Sequence, residues 1–188
     1  MSEQLAAAVS ADRVFLVGPM GAGKTTVGKK LADFLGYEFL DTDHEIELRT
    51  GVDIPFIFEK EGEPGFRARE THVLDELSQR ANVVLATGGG AVLCEANRQH
   101  LHARGFVVYL RATLEQQVAR TERSNHRPLL AAGSKRETLA RLFGEREPLY
   151  RKVAHLVMAT EGKNAKQLAR DIALSLRQPQ LLLSDHHD

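Results

Sequence analysis

The chain is organised around the stretch Gly-Pro-Met-Gly-Ala-Gly-Lys-Thr-Thr at residues 18–26. Its glycines at 18 and 23, followed by Lys24 and Thr25, match the phosphate-binding pattern Gly-x-x-x-x-Gly-Lys-Ser/Thr. In such a loop, backbone N–H groups wrap around phosphate oxygens, and Gly21 and Gly23 let the chain turn back and approach them. The lysine supplies a cation for the outer phosphates, and the threonine hydroxyl is placed to ligate Mg²⁺. The stretch predicts a site for a nucleoside triphosphate.

Both flanks of this loop have the secondary structure that such a site requires. Residues 14–17, Val-Phe-Leu-Val, are an apolar run typical of a buried strand, and residues 26–35 have a helical pattern. The positive N-terminal end of that helix faces the phosphates. A glycine-rich turn with a chance lysine is the alternative, and the flanking strand and helix disfavour it. The residues predicted to bind the nucleotide are Gly21, Ala22, Gly23, Lys24, Thr25 and Thr26.

The composition predicts a single globular domain over residues 1–188, with 43% hydrophobic and 27% charged residues. Lys plus Arg and Asp plus Glu number 25 each, so no basic field draws the chain to nucleic acid or anionic lipid. No apolar run approaches the roughly 18 residues that a membrane helix needs. Residues 1–11 lack a secretory pattern, and Cys94 is the only cysteine, which fits a reducing compartment. We expect a cytoplasmic monomer that binds neither nucleic acid nor membrane.

Apolar runs that alternate with helical patterns predict an α/β fold. Further strands are expected at residues 38–40, 83–86, 106–110 and 156–159. Helices are expected at residues 44–50, 54–61, 64–80, 95–103, 114–123, 137–153 and 164–177. Near-continuous apolar strands joined by helices indicate a parallel sheet covered on both faces, which is a three-layer α/β/α sandwich.

Three stretches lack a periodic pattern. Residues 1–12 and 178–188 are expected to be a flexible lead-in and tail outside a core of about residues 13–177. Residues 124–135 contain Pro128 and Gly133 and are expected to form a mobile loop.

Polar or glycine clusters follow three of the predicted strands, at residues 18–25, 41–43 and 88–90. In a parallel α/β sheet, ligands bind beyond the carboxyl ends of the strands. We therefore expect the three clusters to converge on one site.

The acidic cluster at residues 41–43 contains two carboxylates, Asp41 and Asp43, with different candidate roles. The strand at 83–86 ends without an acid, so Asp41 is the nearest candidate to help Thr25 hold a metal ion. Asp43 could meet the acceptor hydroxyl, or it could cap the helix expected to start at His44. The spacing alone leaves these two roles open.

The run of Gly88, Gly89 and Gly90 also has two readings. It could be a backbone surface that lets a small substrate approach closely, or a tight turn from strand to helix.

Arginines near these clusters suggest an anionic co-substrate, because guanidinium binds a carboxylate with two parallel hydrogen bonds. Arg67 lies one helical turn from Glu70, Arg127 lies in the mobile segment, and Arg120 lies on the helix before it. Most of the arginines on the helix at 137–153 are expected to face water; they are Arg141, Arg146 and Arg151.

The sequence resembles the shikimate kinases, a branch of the nucleoside monophosphate kinase-like phosphate-loop proteins. The likeness covers about residues 13–177, and its motifs occur in the family's order. They are residues 18–25, Asp41-Thr42-Asp43, Phe66-Arg67 with Glu70, Gly88-Gly89-Gly90, Arg127-Pro128-Leu129 and Leu149-Tyr150-Arg151. The resemblance implies a five-stranded parallel sheet in the order 2-3-1-4-5 with a lid at about residues 124–135. It also implies transfer of the ATP γ-phosphate to the 3-hydroxyl of shikimate, in the pathway to chorismate and aromatic amino acids.

The resemblance assigns roles on the acceptor side. Asp43 would bind the shikimate hydroxyls and act as the catalytic base, while Arg67 and Arg151 would hold the carboxylate. Glu70 would steady Arg67, and the three glycines would line the pocket. The apolar wall would consist of Ile54, Phe58 and Phe66.

On the nucleotide side, the resemblance makes Lys24 and Arg127 catalytic, with Arg127 as the lid arginine. Arg120 would stack on the adenine. Asp41 would reach Mg²⁺ beside Thr25.

Two other classes of protein fit the sequence less well. A gluconate kinase would keep the phosphate loop and the lid, but has no need for two arginines that hold a carboxylate beside three glycines. A regulatory nucleotide switch would need a guanine-reading motif and a metal-binding Asp at the end of a strand, and the sequence shows neither.

Overall fold

The computed structural model describes residues 12–121 and 134–177, and its sheet has the predicted topology. Five parallel strands lie in the order β2-β3-β1-β4-β5. Their bounds are β1 Arg13–Val17, β2 Glu38–Asp41, β3 Val83–Ala86, β4 Phe106–Arg111 and β5 Leu156–Ala159. Residues 1–11 of the predicted lead-in, the predicted tail and residues 124–133 of the predicted mobile loop lie outside the described residues.

Seven α-helices connect or flank these strands within the described residues. They are α1 Lys24–Leu35, α2 Thr42–Thr50, α3 Ile54–Leu77, α4 Glu95–Arg104, α5 Leu114–Thr121, α6 Lys135–Val153 and α7 Ala165–Arg177. None of these helices is long and apolar enough to cross a membrane.

The burial of the strands follows from their place in the sheet. The central strand β1 pairs with β3 on one side and β4 on the other, and all of β3 is buried. Each face of the sheet carries its own hydrophobic core, one containing Phe15 and Leu85, the other containing Leu16 and Leu31. Alternate residues of one strand therefore face opposite layers, as a three-layer sandwich requires.

Strand register brings the three predicted clusters to one edge of the sheet. Ala86 at the end of β3 is the register partner of Leu16 in β1 and of Asp41 in β2. The residues that follow these strands therefore leave the sheet side by side. The Thr87 N–H donates to the Leu16 carbonyl at 3.1 Å, which extends the pairing by one more residue.

Several helix boundaries differ from the prediction. Helix α2 begins at Thr42 rather than His44, and α3 ends at Leu77 rather than near Arg80. The two helices predicted at 54–61 and 64–80 form one element with a break at Gly62, where φ is 70° and ψ is −179°. A 3₁₀ helix over Ala91–Leu93, which the sequence pattern does not indicate, follows the glycine run.

Candidate active site

One cavity of about 580 Å³ lies at the carboxyl edge of the sheet. Its nucleotide side is formed by residues of the phosphate-binding loop, α1, β2 and α5: Met20, Gly21, Gly23, Lys24, Thr25, Thr26, Asp41 and Arg120. Its other side is formed by residues of α2, α3, α6 and the segment after β3: Asp43, Glu47, Ile54, Phe58, Phe66, Arg67, Glu70, Thr87, Gly88, Gly89, Gly90 and Arg146. The three clusters converge as predicted.

The phosphate-binding loop has the predicted backbone geometry. Gly21 and Gly23 have φ values of 77° and 88°, a region that L side chains rarely adopt. The Lys24 ammonium donates to the carbonyl oxygens of Gly18 at 2.7 Å and Pro19 at 2.9 Å. Ala22 does not line the cavity: its side chain is buried in the core, and its N–H donates to the Pro19 carbonyl.

Thr25 and Asp41 come together as the metal hypothesis requires. The Thr25 hydroxyl donates to Asp41 Oδ2 at 2.8 Å. Asp41 is also the N-cap of α2, and its Oδ1 accepts from the N–H groups of Asp43 at 3.0 Å and His44 at 3.4 Å. Two fixed oxygen ligands suit a hard divalent cation whose other ligands are phosphate and water.

Arg120 lies against the phosphate-binding loop. Its guanidinium donates to the Gly21 carbonyl at 2.9 Å across the gap between α5 and the loop. Arg127, the predicted lid arginine, lies outside the described residues.

Asp43 lies in the first turn of α2 and is not its N-cap. The N-cap is Asp41. Asp43 is partly accessible, but its Oδ1 is buried and has no hydrogen-bond partner among the described residues. Burial raises the pKa of Asp43 to about 7, and the negative charges of Glu70 and Asp41 add to this effect, while Lys24 and Arg67 oppose it. A carboxyl with a pKa near neutrality is suited to exchange a proton with a ligand.

Arg67 is held between two carboxylates on its own helix. It donates to Glu70 Oε2 at 2.7 Å, while its Nε and Nη2 donate to Glu63 Oε1 at 3.2 and 3.0 Å. Glu70 is only 1% exposed, and burial raises its pKa although Arg67 and Arg146 oppose this. The structure therefore brings Arg67 and Glu70 together as the sequence predicted.

Two of the three glycines after β3, Gly88 and Gly90, are required by close approach rather than by a positive φ. None of the three has a positive φ. A Cβ on Gly88 would overlap Glu70 Oε1 and lie 2.9 Å from Asp43 Oδ1, and a Cβ on Gly90 would overlap the Arg67 guanidinium. These glycines let the functional side chains of α2 and α3 pack directly against the backbone.

Arg151, which the resemblance made a ligand of the shikimate carboxylate, does not line the cavity, whereas Arg146 does. The Arg151 side chain is 50% exposed and pairs with Glu147 at 2.5 Å, outside the cavity. Arg146 is 4% exposed and lines the cavity. Helical spacing contained the signal, because the buried residues of α6 are Leu139, Leu142, Arg146, Tyr150 and Val153. Arg146 falls on that apolar stripe, and Arg151, five residues later, does not.

Three further lining residues were not predicted: Met20, Glu47 and Thr87. Thr87 directly follows β3 and could have been inferred from the rule that ligands bind beyond the strand ends. Nothing in the local pattern marks Met20 or Glu47.

The comparisons with known proteins agree on one family. A family model described as "Shikimate kinase" matches residues 20–177. The shikimate kinase of Acinetobacter baylyi is 57% identical over 159 residues, which are 85% of this chain and 88% of that protein. The structure of shikimate kinase from Acinetobacter baumannii in complex with shikimate is 52% identical, with a TM-score of 0.85 over 95% of this chain and 97% of that one.

The gluconate kinase alternative has weaker support. A gluconokinase from Sinorhizobium meliloti 1021 superposes with a TM-score of 0.53 at 13% identity, covering 93% of this chain and 97% of that one. Such a likeness indicates a common fold only. The chain belongs to the shikimate kinase family.

Proposed function

We propose that this protein transfers the γ-phosphate of ATP to the 3-hydroxyl of shikimate, giving shikimate 3-phosphate and ADP. The observation that carries the proposal is one continuous cavity with a phosphate-binding loop on one side. On its other side lie two guanidinium groups, from Arg67 and Arg146, and the carboxyl of Asp43. A substrate with one carboxylate and several hydroxyls complements that second side.

The nucleotide is expected along the phosphate-binding loop. Backbone N–H groups and Lys24 bind the phosphates, and Arg120 lies where α5 meets the loop. The Lys24 ammonium, which bonds carbonyls of its own loop, would exchange them for phosphate oxygens. Thr25 and Asp41 would hold Mg²⁺, which neutralises negative charge on the phosphates when bound.

The acceptor is expected beside the triple-glycine loop, which we define as Gly88, Gly89 and Gly90. Arg146 and Arg67 bind the shikimate carboxylate, with Arg146 in the role that the resemblance had given to Arg151. Glu70 fixes one edge of the Arg67 guanidinium, which leaves the edge on the more exposed Glu63 open to exchange with substrate.

Asp43 is proposed as the base. The 3-hydroxyl oxygen forms a bond to the γ-phosphorus, the bond from that phosphorus to the β–γ bridging oxygen breaks, and ADP leaves with its electron pair. The hydroxyl proton passes to the Asp43 carboxylate. The pKa of about 7 lets this carboxyl accept the proton and release it to solvent near neutral pH.

The role of Arg127, as a lid residue that contacts the transferred phosphate, remains a prediction. A cytoplasmic location and a monomeric state also remain predictions.

ADP formation tests the proposal directly. The purified protein is assayed with ATP and Mg²⁺ plus shikimate, plus gluconate, or with no acceptor, and Lys24→Ala serves as the control for contaminating kinases. We expect rapid turnover with shikimate alone and its loss in the variant, since the cation on the outer phosphates is gone. Turnover with gluconate, or equal ATP consumption without an acceptor, would overturn the proposal.

A further inference from the structure

We propose that Tyr150 is a positioning residue that holds the triple-glycine loop in place for the acceptor. The proposal rests on the placement of shikimate beside that loop under the proposed function. Tyr150 is fully buried on α6, and its hydroxyl donates to the Gly89 carbonyl at 2.6 Å. The hydrogen bond joins residues 61 positions apart in the sequence, so it ties the loop to a helix on another part of the chain.

The loop depends on such contacts because it has no side chains of its own to pack. Glycine has more backbone freedom than any other residue, so a run of three needs external restraint to keep one conformation. The Gly88 N–H donates to the Thr42 hydroxyl at 3.0 Å, and the Gly88 carbonyl accepts from the Ala91 N–H at 3.1 Å. Tyr150 supplies the restraint on Gly89, the middle residue.

A small displacement of the loop would reach the substrate-binding groups directly. Gly88 packs against Glu70 and Asp43, and Gly90 packs against the Arg67 guanidinium with no room for a methyl group. The loop position and the positions of these side chains are therefore set together.

The same helix turn connects the loop to the second arginine. Arg146 lies four residues before Tyr150, on the same buried stripe of α6, and its Nη1 lies beside Gly89, 3.7 Å from where a Cβ on that glycine would sit. The Tyr150 hydroxyl and the Arg146 guanidinium thus both lie against Gly89. Loss of that hydroxyl would free the Gly89 carbonyl, and the acceptor-binding groups packed against the loop should shift first.

Tyr109 provides a matched internal comparison. Its ring stacks on that of Tyr150 with centroids 5.1 Å apart, and it is equally buried. Its hydroxyl, however, has no hydrogen-bond partner in the described parts of the chain. Tyr109→Phe therefore removes a neighbouring buried hydroxyl without touching the loop.

The test compares Tyr150→Phe with Tyr109→Phe in steady-state kinetics and in calorimetric titration with shikimate. Tyr150→Phe should raise KM and Kd for shikimate by about tenfold, the size expected when a buried carbonyl loses its donor. KM for ATP should stay within about twofold. Tyr109→Phe should leave both KM values unchanged. A role limited to stability would lower Tm without separating the two substrates.

Thr42→Val and Thr42→Ser test the second restraint on the loop, the hydrogen bond from the Gly88 N–H to the Thr42 hydroxyl. They also test the proposal if Tyr150→Phe is too unstable to assay. Valine removes the acceptor for the Gly88 N–H and should again weaken shikimate selectively, whereas serine keeps it and should not. The proposal is overturned if folded Tyr150→Phe binds shikimate normally, or if it weakens ATP and shikimate equally. It is also overturned if Thr42→Val has no selective effect.

Arg67→Ala distinguishes this failure from failure of the proposed function. If Arg67→Ala weakens shikimate while Tyr150→Phe does not, only the positioning role is wrong. If neither variant affects shikimate, the acceptor site lies elsewhere.

Discussion

Replacing Arg146 by alanine should weaken shikimate far more than replacing Arg151, although both arginines lie on α6. Arg146 is almost fully buried, and its Nε–H has no hydrogen-bond partner in residues 12–121 and 134–177. A buried donor without a partner is costly, and a substrate carboxylate would supply the missing acceptor. Arg151 already pairs with Glu147 at the surface and has no such need.

The rise in KM for shikimate should differ clearly between the two variants. A hydrogen bond to a charged group contributes about 1.5–3 kcal/mol, which is roughly 10- to 150-fold in an equilibrium constant. An exposed pair one helical turn apart contributes only about 0.3–0.5 kcal/mol, and to folding rather than to binding. We therefore expect KM for shikimate to rise at least about tenfold in Arg146→Ala and less than about twofold in Arg151→Ala.

Initial rates of ADP release give both constants when shikimate is varied at saturating ATP and ATP at saturating shikimate. Thermal unfolding monitors the folded state of each variant. Arg146→Lys should recover only part of the affinity, because an ammonium keeps the charge but lacks the planar pair of donors. KM for ATP should stay within about twofold throughout, since Arg146 lies on the acceptor side.

Two results would contradict a carboxylate-binding role for Arg146. A larger loss of shikimate affinity in Arg151→Ala than in Arg146→Ala would mean that Arg151, and not Arg146, binds the carboxylate. An equal rise of both KM values in Arg146→Ala would mean that its effect is on the fold and not on the acceptor.

Other side chains of the pocket and the core lead to separate tests. Asp43→Asn should lower kcat by about 10²-fold or more, and excess Mg²⁺ should not restore it. Excess Mg²⁺ should partly restore the activity of Asp41→Asn. Full activity of Asp43→Asn would show that Asp43 is not the base. Gly90→Ala should raise KM for shikimate, because its methyl would displace the Arg67 guanidinium; unchanged kinetics would contradict that contact. Burial lowers the pKa of His155 to about 4 from 6.5. The unfolded chain therefore binds an extra proton between those values, and the free energy of unfolding should fall as pH drops through that window. Denaturant titrations should show less of this fall in His155→Asn.

The sheet could be predicted because each strand is an apolar run bounded by polar or glycine residues. The bounds of β3 and β5 agree with the prediction to the residue. Strand β3 is fully buried, and burial on two faces leaves a continuous hydrophobic signal, whereas β5 is an edge strand that is only partly buried but still an apolar run. The order of the strands came from the resemblance, because periodicity does not say which strands are neighbours.

The roles of the two aspartates could not be separated from the sequence, because they depend on where α2 begins. The helix starts at Thr42, two residues before the expected His44, so the N-cap position falls on Asp41. Asp41 has the extended backbone of a cap, with φ −132° and ψ 123°. Asp43 is thereby left inside the first turn and beside the cavity.

The contacts of the triple-glycine loop also could not be predicted from the local sequence pattern. Gly88 and Gly90 are glycines because of side chains from α2 and α3, more than 15 positions away in the sequence. Arg146, by contrast, was accessible to a fuller use of helical spacing, since it falls on the buried stripe of α6.

Charge balance in the acceptor pocket explains how two arginines could share one carboxylate without being equivalent. Arg67 is neutralised in the unliganded protein by Glu70, which is buried, and by Glu63, whose side chain is 45% exposed. A substrate carboxylate can replace the exposed Glu63 at little cost, because an exposed ion pair contributes little and the released carboxylate is hydrated. Arg146 has no comparable surface partner among the residues that the structure describes, and its buried Nε–H would gain an acceptor from the substrate carboxylate. An acceptor without a carboxylate would leave that group unpaired, so the arginine that the sequence pattern missed is the one expected to dominate discrimination against such acceptors.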